Sequence, residues 1–273
     1  MIKSNCHTHT ILCDGKNSAE EMVEAAIKKG FVSLGFSGHS PMYFENDWAM
    51  TEEGLKKYSE EIAKLKEKYK EKIEIYCGLE LDADFSCSDI SNFDYIIASV
   101  HQLHCGEKII SIDYTQKELS DCVNNDFGGD WYLMSEQYYS SVCEFVLKIK
   151  PDVVGHYDLI EKFNENSVCF DSESKIYQSI ALKYLDKICE ENPDVIFEVN
   201  TGAMYRCGKK LPYPSAFIMK RLKENNMKIT ITGDSHDVSS LDFAFEEMKG
   251  YCKSFGYTEA YILKNGKFVP VSI

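Results

Sequence analysis

Short β-rich runs alternate with amphipathic helical runs along nearly all of the chain, and no other feature constrains the fold as much. Such alternation builds an α/β domain whose sheet is largely parallel, with helices packed outside it. Strands are expected at 2–6, 32–36, 73–77, 95–100, 153–155, 195–199 and 229–232. That makes seven β/α units, one short of an eight-stranded barrel. A closing hairpin is expected over 257–263 and 268–271, turning at Asn265-Gly266. Ser18 and Glu21 have capping-box spacing, and Gly30 follows the helix they start. Met22, Val23, Ala26 and Ile27 would face the core from that helix. After Thr51, Leu55, Tyr58, Ile62, Leu65 and Tyr69 recur at helical spacing. The same period runs through Tyr138, Val142, Phe145 and Ile149, and through Ile176, Ile180, Tyr184 and Ile188. Shorter helices are expected to bury Phe217, Ile218 and Leu222, then Leu241, Phe245, Met248 and Cys252. Two segments break the pattern, 41–50 and 102–134. Both follow strands, and loops of such length in compact domains tend to be functional. A single domain over 1–273 is expected.

Composition narrows the function. The 273 residues are 44 % hydrophobic, enough for a sizeable core. No apolar run nears the roughly 20 residues of a membrane helix, and the N-terminus turns polar at once. The 11 cysteines form no C-x-x-C and are odd in number, so free thiols and a cytoplasmic location are expected. Cys13 and Cys105 lie near expected ligands, where packing is the commoner role of a cysteine. The net charge of −14 disfavours nucleic acid as a partner, and no membrane partner is expected. It also disfavours an anionic substrate, unless a local cluster of metal ions supplies positive charge.

Six of the seven histidines fall directly after an expected strand. His7 and His9 follow the first, His39 the second, His101 the fourth, His156 the fifth and His236 the seventh. Glu80 follows the third strand, and Asp234 precedes His236. The C-terminal ends of barrel strands converge on one face, which holds the active site. Neutral imidazole and carboxylate suit Zn²⁺, Mn²⁺ and Fe²⁺. With Asp14, these side chains exceed the needs of one four-coordinate ion and suit two or three. On an extended strand end, H-x-H puts both imidazoles on one side.

The runs C-H-T-H-T…C-D-G (6–15), S-G-H-S-P (37–41), G-L-E-L-D (78–82), S-V-H (99–101), G-H-Y-D (155–158) and G-D-S-H (233–236) resemble the PHP superfamily. E-V-N-T-G-A…R…Y-P-S (198–215) resembles its histidinol-phosphatase branch. The resemblance implies a distorted (β/α)7 barrel of the PHP type and a trinuclear site of divalent transition-metal ions (Zn, Mn or Fe). It gives the first ion His7, His9, Glu80 and Asp234, with Glu80 bridging to a second held also by His101 and His156. The third would take Asp14, His39 and His236. The implied activity is hydrolysis of L-histidinol phosphate, a small phosphorylated substrate of histidine biosynthesis, by a metal-bridged hydroxide. Glu80, Asp234 and His236 would be the catalytic residues. Arg206, in a loop after the sixth strand, would bind phosphate with His39 and, more weakly, Lys209. The acidic segment 107–130, with Asp113, Asp121 and Asp126, would hold the substrate amine, and Tyr43, Phe44 or Trp48 would stack on its ring.

Three alternatives stand beside this. Another PHP phosphoesterase would act on a nucleotide, a small phosphoester or phosphotyrosine. Ser37, in G-F-S-G-H, misses the serine-hydrolase elbow by one residue. A purely structural metal site would need fewer ligands. The oligomeric state stays open.

Overall fold

The computed structural model describes residues 3–106 and 108–273. The start of the first expected strand at Ile2 and the Glu107 end of the acidic segment lie outside the described residues. The elements are β1 (Lys3–Asn5), α1 (Ala19–Lys28), β2 (Phe31–Phe36), α2 (Glu52–Tyr69), β3 (Glu74–Cys77), β4 (Leu79–Asp82) and β5 (Ile96–Ser99). Then come β6 (Gln102–Cys105), β7 (Lys108–Ser111), α3 (Gln116–Asp126), α4 (Trp131–Ile149), β8 (Val153–Val154), α5 (Lys175–Glu191) and β9 (Ile196–Asn200). The chain ends with α6 (Gly202–Cys207), α7 (Ala216–Glu224), β10 (Lys228–Thr232), α8 (Phe245–Ser254), β11 (Glu259–Lys264) and β12 (Lys267–Ser272).

The strands pair in parallel as β1-β2-β3 and as β4-β5-β8-β9-β10. β3 and β4 are one strand interrupted at Gly78, so seven strands run in chain order. A parallel bridge between Thr8 and Ser235 returns the last strand to the first. Gly78 is required by Tyr95, because a Cβ there would meet the Tyr95 ring at 2.3 Å. The Tyr95 hydroxyl reaches the carbonyls of Cys6 at 2.6 Å and Phe36 at 2.9 Å. With Tyr76, Ile97, Val153, Ile196 and Leu263 it forms a small apolar core separate from the main one.

The hairpin β11-β12 turns at Asn265-Gly266, both at positive φ as a tight two-residue turn requires. It caps the N-terminal end of the strands, where Asn265 N donates to Glu74 and Ser33 Oγ to the Leu263 carbonyl. α1 begins with the expected reciprocal Ser18–Glu21 capping box, and α2 is capped by Thr51 and buries the expected face.

Four expectations need correction. Glu80 lies within β4, because the third strand resumes beyond the Gly78 break. Segment 102–134 is the hairpin β6-β7 followed by α3 and the first turn of α4. Arg206 sits on α6, a short helix. α5 is rotated by about one residue: Tyr177, Ala181, Leu185 and Ile188 are buried, whereas Ile176 is 58 % exposed. Two adjacent stripes of α5 carry apolar residues, and packing against α4 selects the one with the small Ala181. Among the described residues, no helix is long and apolar enough to cross a membrane.

Candidate metal centre

Backbone pairing at the strand ends assembles the site. His9 N donates to Ser235 O at 2.8 Å, and Ser235 N to His7 O at 3.0 Å, which fixes the H-T-H run against D-S-H. Ser40 N donates to Glu80 O at 2.9 Å and so brings His39 beside Glu80. Asp234 adopts a left-handed φ of 43°, which a short polar side chain tolerates. Its carboxylate fills the space left by Gly202, where a Cβ would lie 2.7 Å from Asp234 Oδ2.

The fully buried Glu80 is the centre. Its Oε2 lies 3.3 Å from His7 Nε2, 3.5 Å from His9 Nε2 and 2.9 Å from His39 Nδ1. Its Oε1 faces His156 Nε2 at 3.1 Å and His101 Nε2 at 3.6 Å, and accepts from Ser99 Oγ at 2.6 Å. Asp234 Oδ1 lies 3.4 Å from His9 Nε2 and 3.8 Å from His7 Nε2. Asp14 gathers a second group: His236 Nε2 at 2.9 Å, His9 Nδ1 at 3.4 Å and His39 Nε2 at 3.7 Å. All nine side chains singled out in the sequence as ligands therefore converge. His9 and His39 each stand between the two groups.

The donor set fits cations. His7 Nε2, His9 Nε2, His39 Nδ1 and Glu80 Oε2 are buried and make no hydrogen bond. Such atoms are costly to leave unpaired. The charges agree. Burial pulls His7 and His9 down, yet the carboxylates around them (Glu198, Glu80 and Asp234 for His7; Asp14 and Asp234 for His9) raise both well above the usual imidazole range. His101 reaches about 9, because Asp82 and Glu80 outweigh its burial. Burial opposes ionisation of Glu80, Asp14 and Asp234, but facing histidines, and Arg206 at Asp234, hold all three far below normal. Two buried carboxylates that stay ionised, Glu80 and Asp234, with Asp14 at the exposed rim, call for positive charge, from protons or from metal ions. His236 is held down to about 4 by burial, His9 and Arg206, so its ring stays neutral near pH 7, the form a metal ligand takes.

Sequence reasoning gave no role to the carboxylates behind the histidines. Glu198 Oε2 accepts from His7 Nδ1 and Thr232 Oγ1, both at 2.8 Å, while its Oε1 accepts from His156 N and Asn200 Nδ2. Asp82 Oδ2 accepts from His101 Nδ1 at 2.7 Å. Both residues lie in motifs quoted above, and alternation within those strands was the available signal: Asp82 is two residues from Glu80, and Glu198 two from Asn200.

A cleft of about 1020 Å³ opens over the cluster. Arg206 lines it, with its guanidinium bound to both Asp234 oxygens and to His236 Nδ1. Lys209 is not brought to the cleft lining, because its ammonium turns to the Glu161 carbonyl and the Tyr213 ring. Lys162 lines the cleft instead, 3.0 Å from Asp113. Trp48 and Phe44 line it too, with the Trp48 ring edge-on to His39 at 4.8 Å. Tyr43 points instead to His104, which pairs with Asp84. Asp121 and Asp126 reach the cleft paired with Lys117 and Lys108, and Asp113, paired with Lys162, is also held below the usual carboxylate range by Lys162 and His101 against its burial.

A barrel of parallel strands with a histidine–carboxylate cluster at its C-terminal mouth is the architecture of a metal-dependent hydrolase. This chain belongs to the PHP family: residues 5–202 match the PHP domain. It is 27 % identical over 275 residues to the histidinol-phosphatase of Bacillus subtilis, covering 92 % of this chain and 100 % of that one. A probable histidinol-phosphatase of Schizosaccharomyces pombe is 25 % identical over 286 residues, with 97 % and 90 % covered. The crystal structure of histidinol phosphate phosphatase from Lactococcus lactis, complexed with Zn, L-histidinol and phosphate, superimposes with a TM-score of 0.70 at 21 % identity, covering 98 % of each chain.

Proposed function

We propose that this chain is a metal-dependent phosphomonoesterase that hydrolyses L-histidinol phosphate to L-histidinol and phosphate. The observation that carries this is the Glu80 carboxylate ringed by five imidazoles at the floor of an open cleft. Full-length similarity to curated histidinol-phosphatases supports the substrate.

His7, His9, Glu80 and Asp234 would hold one ion, and Glu80, His101 and His156 a second. Asp14, His39 and His236 would hold a third. Two or three Zn, Mn or Fe ions are expected. Bound there, such ions neutralise phosphoryl oxygens and make water a nucleophile near neutral pH. Glu80 presents one carboxylate oxygen to each of the first two groups and so fixes their spacing. Arg206 orients Asp234 and His236, and its Nε–H remains for a phosphate oxygen. Lys162, paired with Asp113, adds a cation to the cleft lining. Asp113 is placed to receive the substrate amine, and Trp48 its ring.

The test combines metal content with turnover. Protein purified without chelator should carry two to three ions per chain and release phosphate from L-histidinol phosphate in a chelator-sensitive way. Loaded metals with no such release, but with turnover of another phosphoester, would move the substrate elsewhere.

A further inference from the structure

Cys105 ends β6 and Cys122 lies on the buried face of α3, and their sulfurs are 3.4 Å apart. Among the described residues, no other two thiols are in hydrogen-bonding contact. Neither belongs to the metal centre. Both belong to the insert between β5 and α4, and Cys122 lines the cleft beside Asn125 and Asp126. Disulfide bonding requires sulfurs about 2.05 Å apart, so the pair must approach by little more than an ångström. Cys105 is half-buried, so a small reagent can reach it, whereas Cys122 is 4 % exposed. The Lys108 ammonium, paired with Asp126 at 2.9 Å, lies near both thiols, but burial, Cys105 and Asp126 outweigh it at Cys122 and push that thiol up to about 12, so Cys122 rests protonated.

We propose that Cys105 and Cys122 are a site of reversible disulfide formation that clamps the wall of the substrate cleft. The oxidant is a low-molecular-weight disulfide such as oxidised glutathione. The Cys105 thiolate attacks one of its sulfurs and expels a glutathione thiolate, leaving a mixed disulfide. Cys122, giving up its proton, then attacks Cys105 Sγ and displaces the second glutathione. Two protein thiols lose two electrons, and one small disulfide becomes two thiols. The bond ties the β6-β7 turn to α3 and fixes the wall that carries Cys122, Asn125 and Asp126.

The experiment equilibrates the metal-loaded full-length protein with glutathione buffers of decreasing GSH/GSSG ratio, traps free thiols with N-ethylmaleimide and maps peptides. The expected result is one cross-link joining the Cys105 and Cys122 peptides, a loss of two mass units and reversal by dithiothreitol. Cys105→Ser abolishes the cross-link. In wild type, oxidation shifts KM for L-histidinol phosphate at least threefold with kcat held within twofold, and it leaves Cys105→Ser unmoved. This kinetic arm rests on the proposed activity; the mass arm does not, so the two can fail separately. Both peptides fully alkylated at the most oxidising ratio, or either cysteine joined to a different one, overturns the site. A complete cross-link with unchanged KM overturns the clamp.

Discussion

His7 Nδ1 lies 2.8 Å from Glu198 Oε2, with both side chains fully out of solvent. The contact fixes the proton on Nδ1 and leaves Nε2, which has no hydrogen-bond partner, directed at Glu80. Glu198 also binds the backbone of His156, and so holds ligands of two proposed ions from one strand. Removing such a partner commonly costs about 10–100-fold in metal affinity. Glu198→Ala is expected to weaken metal binding by that amount in a competition titration against a chromophoric chelator. Glu198→Gln, which still presents an oxygen to His7 Nδ1–H, should fall between the two. Equal affinities in all three proteins would show that Glu198 serves packing alone.

Glu80 is the one carboxylate that faces both of the first two groups. Glu80→Gln retains the shape but removes the charge that five imidazoles surround. Turnover should drop roughly 10³-fold, the scale seen when a principal transition-state electrostatic group is lost. Metal content should fall with it, by elemental analysis of dialysed protein. Wild-type protein stripped with a chelator should lose turnover to a similar degree and regain it on adding Mn²⁺ or Zn²⁺, whereas Glu80→Gln should not.

The convergence of the proposed ligands was readable in the sequence because barrel geometry turns strand ends into one surface. His7, His9, His39, His101, His156 and His236 share nothing in sequence except their place after β runs. Glu80 obeyed the same logic for a different reason, since the third strand breaks at Gly78 and resumes. That break depends on the Tyr95 ring, 17 residues away in sequence, so no local pattern announces it. The facing of α5 was illegible for a related reason: Ile176, Ile180 and Tyr184 make as good a stripe as Tyr177, Ala181 and Leu185, and only α4 chooses. Arg206 and, as the weaker candidate, Lys209 were both read as cations near a motif. The first found Asp234 and the second the Glu161 carbonyl, a distinction set by where α6 ends.

Gly78 gives the break a direct test. A Cβ at this position would sit 2.3–2.6 Å from three Tyr95 ring atoms, inside a core with no room for the ring to retreat. Overpacking of this kind costs typically about 1–3 kcal/mol. Gly78→Ala should lower stability by that amount in urea unfolding followed by circular dichroism. Gly78→Ala combined with Tyr95→Phe should recover part of the loss, because the hydroxyl pins the ring to the Cys6 and Phe36 carbonyls. No recovery would mean that the glycine serves backbone conformation rather than the ring.

Asp242 ties the beginning of the barrel to its end. Its two oxygens each lie 2.6 Å from an ammonium, Lys3 on β1 and Lys29 just past α1, while Asp242 itself follows β10. Burial alone would raise its pKa, but Lys29 and Lys3 together lower it. A carboxyl group with a depressed folded-state pKa contributes its full stabilisation above its unfolded pKa, about 3.9, and loses it as pH falls through the folded value. The pairs are partly exposed and screened, which limits the contribution to about 1 kcal/mol. Asp242→Asn should therefore destabilise the protein by about that much at pH 7, with a smaller deficit at high salt. The wild-type and variant unfolding free energies should converge as pH drops below the unfolded value. A deficit that persisted unchanged at low pH would assign the loss to the amide's packing rather than to the seam's charge.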